Sequence, residues 1–243
     1  MYKQLLILMK TSTSAFFASA ALALAAALCS CSNARFYSGF KPSQAVGEMA
    51  LLGPVSHQFY IDAKNNEDYS DSLSVISEDL LADLTVQLGM PVMDRFIMDE
   101  EQMDEAVNFM LYLDSNSYKT VGEVQIPSVL DSLLESQGYR YGLLMYSRGM
   151  TRDRANYVNS AVKQAAFGVV LSVVIAVATL GMVVPIYTPS EAQFSSSVYV
   201  ALLDAVTDRV VFYSYADPQE RNPLDEKHMR SQLTEVLRDY LKQ

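Results

Sequence analysis

Two histidines, His57 and His228, two cysteines, Cys29 and Cys31, and a few runs of carboxylates are the residues whose types could do chemistry in this chain of 243. His57 falls on an apolar, strand-like stretch and His228 on an amphipathic, helix-like one; each reads as a packed or solvated imidazole, not as a metal ligand or general base. A zinc site would have to draw on scattered carboxylates, because both thiols lie at the end of the N-terminal apolar run. The run DEEQMDE at 99–105 reads as the acidic first turn and solvated face of a helix. DAKNNEDYSDS and DSNSYKTVGEVQ have the oxygen density of a calcium loop but lack its sixth-position Gly and twelfth-position Glu. With no G-x-S-x-G elbow, phosphate-binding loop or dinucleotide fingerprint, the expectation is a chain without catalysis, metal or cofactor. An envelope hydrolase whose Ser or Asp/Glu site is dispersed along the chain is the competing reading.

The two cysteines carry the sharper chemistry. Residues 1–14 hold Lys3 and Lys10, residues 15–28 (AFFASAALALAAAL) are an uncharged run of secretory length, and LCSC follows. Leu28 at −3 and Ser30 at −1 ahead of Cys31 resemble the bacterial lipobox, in which the signal peptide is cut before a cysteine that is then acylated. The resemblance implies cleavage between Ser30 and Cys31 and a lipid on Cys31. An uncleaved N-terminal membrane helix and ordinary cleavage near Ala34 are the alternatives. Residues 1–30 are then a signal peptide, 31–48 (polar, with Gly39 and Pro42) a tether, and 49–243 a periplasmic domain.

Those first 30 residues hold two positive charges, so the rest has 16 basic and 28 acidic side chains, a net of −12. Such a surface repels phosphate backbones and argues against nucleic acid as a partner. Half the residues are apolar, enough to bury a core. Along the domain, 49–62, 91–98, 139–149, 197–204 and 209–217 read as strands from their apolar and aromatic content. Leu73, Ile76, Leu80, Leu81, Leu84 and Leu88 recur at helical spacing and end at Gly89. Asp99 caps a second helix, Pro127 and Gly138 bracket a third, and Pro223 opens a fourth with the stripe Met229, Leu233, Val236, Leu237, Tyr240 and Leu241. The order predicts an α/β domain, with α+β as the alternative: a mixed sheet of about five strands covered by helices.

YRYGLLMYSRG, followed downstream by SSSVYVALLDAVTDRVVFYSYAD, resembles the second half of the curli-secretion-type (CsgG-like) periplasmic lipoproteins. Asp204, Thr207, Asp208, Val210 and Val211 match the family's hairpin, in which a strand ends in Asp, turns through a Thr/Asp pair and returns as an apolar strand. The family's Trp-Glu ending is replaced here by Phe212-Tyr213. What the resemblance implies is an envelope lipoprotein with this kind of domain and no active site to inherit; pore activity does not transfer.

Between Lys163 and Glu191 the chain has no charge, and 165–187 would span about 34 Å as a helix, the thickness of a bilayer core. The expectation is one long apolar helical segment over 161–187, inserted before the final hairpin. Gly168, Ser172 and Ala176 stand at the small-xxx-small spacing that lets helices approach closely, and mark it as a membrane or oligomer contact. Gly181 and Pro185 argue against one straight span. A helix buried in the core or against sister subunits, and a strand hairpin, remain alternatives. Together these readings predict a non-catalytic, lipid-anchored protein of a Gram-negative cell envelope that faces the periplasm, with a structural, assembly or secretion-related role. Outer and inner membrane are equally compatible, and a subunit of an inner-membrane complex is a further alternative.

Overall fold

The computed structural model describes residues 33–116, 121–158 and 192–243. Seven strands form one mixed sheet: β1 (Arg35–Phe36), β2 (Met49–Ile61), β3 (Glu67–Tyr69), β4 (Val92–Phe96), β5 (Tyr141–Arg152), β6 (Phe194–Asp204) and β7 (Arg209–Gln219). Their order is β1-β7-β6-β5-β2-β3, with β4 also on β2. The pairs β2/β5 and β2/β4 are parallel and all others antiparallel. Four helices cover it: α1 (Asp71–Gln87), α2 (Glu100–Ser115), α3 (Ser128–Gln137) and α4 (Glu226–Leu241).

The helix ends form where the sequence supplies donors and acceptors for the terminal backbone groups. At α2, Asp99 accepts from the Gln102 backbone N–H at 2.9 Å while Gln102 accepts from that of Asp99 at 3.0 Å, a reciprocal capping box. Gly138, at φ 74°, closes α3 in the left-handed conformation that glycine adopts without strain. The last helix starts three residues later than Pro223 suggests, because the Asp225 carboxylate takes the His228 backbone N–H at 2.8 Å. Pro223 is buried beside Gly149 instead.

Alternation along the central strands divides the core into two layers. Met49, Leu51, Leu143, Met145, Val200 and Leu202 pack with α1 and α4 on one face. Leu52, Val55, Leu144, Tyr146, Ala201 and Leu203 pack with α2 and α3 on the other. A bulge at Gly53-Pro54 shifts the register of β2 against β5, so the odd-numbered residues move from the first face to the second. On this second face Tyr146, Tyr199 and Tyr215 are successive cross-strand neighbours, with ring centroids 5.7 and 6.1 Å apart.

Two expectations change, and a third falls outside the described residues. Residues 35–48, read as tether, pack on the domain: β1 pairs with β7, Phe36 lies 4.8 Å from Phe212 and Phe40 is 5.9 Å from Tyr141. The physical reason is that this polar stretch carries three aromatics, and burying them outweighs its turn-rich composition. The sheet has seven strands where five were expected, because β1 and β3 are two and three residues long and carry no readable alternation. The inserted apolar segment 161–187 lies outside the described residues, and among the described residues no helix is long and apolar enough to cross a membrane.

Candidate functional site

The edge of β2 opposite β5 is shared by two short partners: β4 takes Met49–Leu52 and β3 takes Phe59–Ile61. Between them, side chains of α1 replace a strand. The Ser56 N–H donates to Glu78 Oε1 at 3.0 Å and the Gln58 N–H to Ser74 Oγ at 3.0 Å. This break in the edge opens a cleft of about 610 Å³ lined by His57, Phe59, Tyr69, Glu78, Asp104 and other side chains. The His57 ring stands edge-on to Tyr69 and Tyr146, at 5.4 and 5.7 Å. Burial, helped by the Arg148 charge and opposed by that of Asp104, lowers its pKa. Burial also raises the Glu78 carboxyl, against the stabilising bond from Ser56 N–H.

His57 and Glu78 line the same cleft, an imidazole and a carboxyl that make an acid–base pair in type only. The Ser56 side chain, next to His57 in the chain, turns to the other face of the sheet. There it meets Ser147 Oγ at 2.8 Å, and Ser147 meets Ser77 at 2.7 Å. Gln58 Nε2 donates into this cluster, to Ser56 Oγ at 2.9 Å. These buried hydroxyls fix α1 on the sheet and leave the cleft without a nucleophile from Ser56. Among the described residues, no group of three or more His, Cys, Asp and Glu side chains is placed to hold a metal ion.

The second histidine makes a more suggestive pair. His228 Nε2 lies 2.8 Å from Ser196 Oγ, next to a surface cleft of about 650 Å³. Gln232 settles the direction of the proton. Its Nε2 donates to the Ser196 carbonyl at 3.0 Å, so Oε1 faces Ser196 Oγ at 3.1 Å, and Oε1 can only accept. The single hydroxyl proton goes to Gln232, and Ser196 accepts from the His228 Nε2–H. A general base would need the opposite arrangement, with a lone pair on that nitrogen. The trio ties α4 to the first residues of β6, and burial of the imidazole, with Arg221 adding and Asp225 opposing, lowers its pKa.

Comparison with known proteins adds little at the level of residues. No family model matches the chain, and no curated protein does. Solved structures similar to it include two of one protein. The PelC dodecamer from Paraburkholderia phytofirmans in space group P6 is 12% identical, with a TM-score of 0.38 over 84% of this chain and 93% of that one. A single-substitution variant of the same dodecamer, in space group C2, is 13% identical, with a TM-score of 0.37 over 84% and 94%.

Of the residues singled out from sequence, Ser30 and Cys31, and Gly168, Ser172 and Ala176, lie outside the described residues. His57 and His228 take the packed roles their surroundings suggest and do not come together. Ser196, Gln232 and Glu78 were missed, since each gains its role from a partner more than 20 residues away. The matched hairpin residue Asp204 proves to be an anchor. It accepts from Arg140 Nε at 2.9 Å and Nη2 at 3.1 Å, a two-point ion pair at the end of β6.

Proposed function

We propose that this chain is a lipid-anchored protein of a Gram-negative cell envelope, with the lipid on Cys31, the α/β domain in the periplasm and a structural, assembly or secretion-related role without catalysis. The observation that carries the reading is the sequence Leu28-Cys29-Ser30-Cys31 set directly ahead of a folded unit that begins at Ala34. An acyl chain on Cys31 would hold that unit close to a bilayer with little slack. The direction of the Ser196–His228 hydrogen bond supports a non-catalytic role, because the pair most like a nucleophile and its base serves to dock a helix. Segment 161–187 would supply the contact with membrane or sister subunits.

Growth with labelled palmitate, followed by fractionation, tests this. Wild type takes up the label and sediments with membranes; Cys31→Ala loses the label. Undiminished labelling of Cys31→Ala would sink the proposal.

A further inference from the structure

The described strands fix the direction in which two chain segments leave the sheet, and the two directions agree. β5 and β6 are antiparallel, so the last residues of β5 lie beside the first of β6. The Arg152 N–H donates to the Gln193 carbonyl at 2.8 Å, which joins the two stems flanking the apolar insertion. β7 is antiparallel to β6, so it ends at this same end, and Ser196 pairs with Gln219. β1 is antiparallel to β7 with Arg35 opposite Tyr213, so the chain traced back from Arg35 runs toward Gln219. Cys31 precedes Arg35 by four positions, a reach of at most about 14 Å, against about 20 Å for the six positions along β7 from Tyr213 to Gln219. Nothing in the sequence pattern requires the stems that lead to the lipid-bearing segment and to the uncharged run to point toward one end of the sheet.

That end is also a built platform. Arg152, buried, donates through Nη1 to Asn156 Oδ1 at 2.8 Å and to Asn65 Oδ1 at 3.1 Å. Asn156 Nδ2 donates to the Asp62 carbonyl at 2.9 Å, and the Asp153 N–H to the Ile61 carbonyl at 2.8 Å. The turn after β2 is thereby stitched to the exit from β5.

We infer that this end of the sheet, carrying the turn 62–66, Asp153 and 219–221, faces a lipid bilayer, and that the β6–β7 turn at 205–208 points away from it. The inference rests on the lipid-anchor reading above. The bilayer is the occupant because the described stems on both sides of the uncharged run, and the described residues that lead back to the acylation motif, all point toward this end from two independent strands.

The test uses the full acylated chain in phosphatidylethanolamine–phosphatidylglycerol vesicles containing a headgroup spin label. Lys64, Arg221 and Thr207 are exposed, and each is replaced singly by cysteine and labelled with a fluorophore. The ends of the sheet are about 35 Å apart for an eleven-residue strand, well beyond the range of contact quenching. The expected result is at least twofold stronger quenching at Lys64→Cys and Arg221→Cys than at Thr207→Cys. Equal quenching, reversed quenching, or none at any position on chains that float with the vesicles would overturn the inference while leaving the anchor standing. A chain that does not float overturns both.

Discussion

At the scale of single residues, the buried polar groups of this domain are structural. Gln58 Oε1 sits where a Cβ on Gly149 would be, 2.1 Å away, with Pro223 Cβ at 2.5 Å. Gly149→Ala is therefore expected to cost about 1–3 kcal/mol, read from urea unfolding. Both imidazoles titrate below their ordinary 6.5 in the folded chain. As pH falls, the unfolded chain takes up protons first, so stability fully present above about pH 6.5 is lost through the folded values. Glu78, raised by burial, works in the opposite sense at lower pH. Unfolding at pH 7.5 and 5.5 should show a smaller loss for the His57→Gln, His228→Gln variant than for wild type, and an equal loss would refute the assignment. The sequence placed His57 on a strand and His228 on a helix correctly. It could not show Ser196 or Gln232 as partners, because hydrogen bonds across tens of residues leave no periodic trace.

At the scale of elements, legibility followed periodicity. The four helices and the long strands were read from their stripes, and their caps from Asp99 and Gly138. Gly53-Pro54 marks a bend within the strand-like stretch 49–62, but the effect of the bulge there on the two faces is not readable from sequence, since a single extra residue inverts alternation without changing composition. A Cβ on Gly53 would lie 2.9 Å from the Phe96 carbonyl, so Gly53→Ala should push β4 from β2. Faster amide exchange over Val92–Phe96, with the pairing of β5 to β6 unchanged, is the expected signature. Asp204→Ala, which leaves Arg140 without its two-point acceptor, should cost about 1–3 kcal/mol in the same unfolding assay. The aromatics Phe36, Tyr37 and Phe40 were the signal that residues 35–48 belong to the domain, hidden within an otherwise tether-like composition.

At the scale of the whole molecule, the proposed function turns on a local, N-terminal feature: a cysteine in a lipobox-like sequence three residues ahead of a folded α/β unit. The proposed location rests on that motif, whereas the common end of the sheet toward which the described stems point became visible only through strand order. The insertion stems reach that end through β5–β6, and β1, paired with the middle of β7, points toward it when traced back from Arg35. Mass spectrometry of the mature N-terminal peptide, from chain purified out of its native membrane, tests the central claim most directly. The expected result is a chain beginning at Cys31 that carries a thioether-linked diacylglycerol. An intact residue 1, or an unmodified Cys31 in a chain beginning elsewhere, would contradict it.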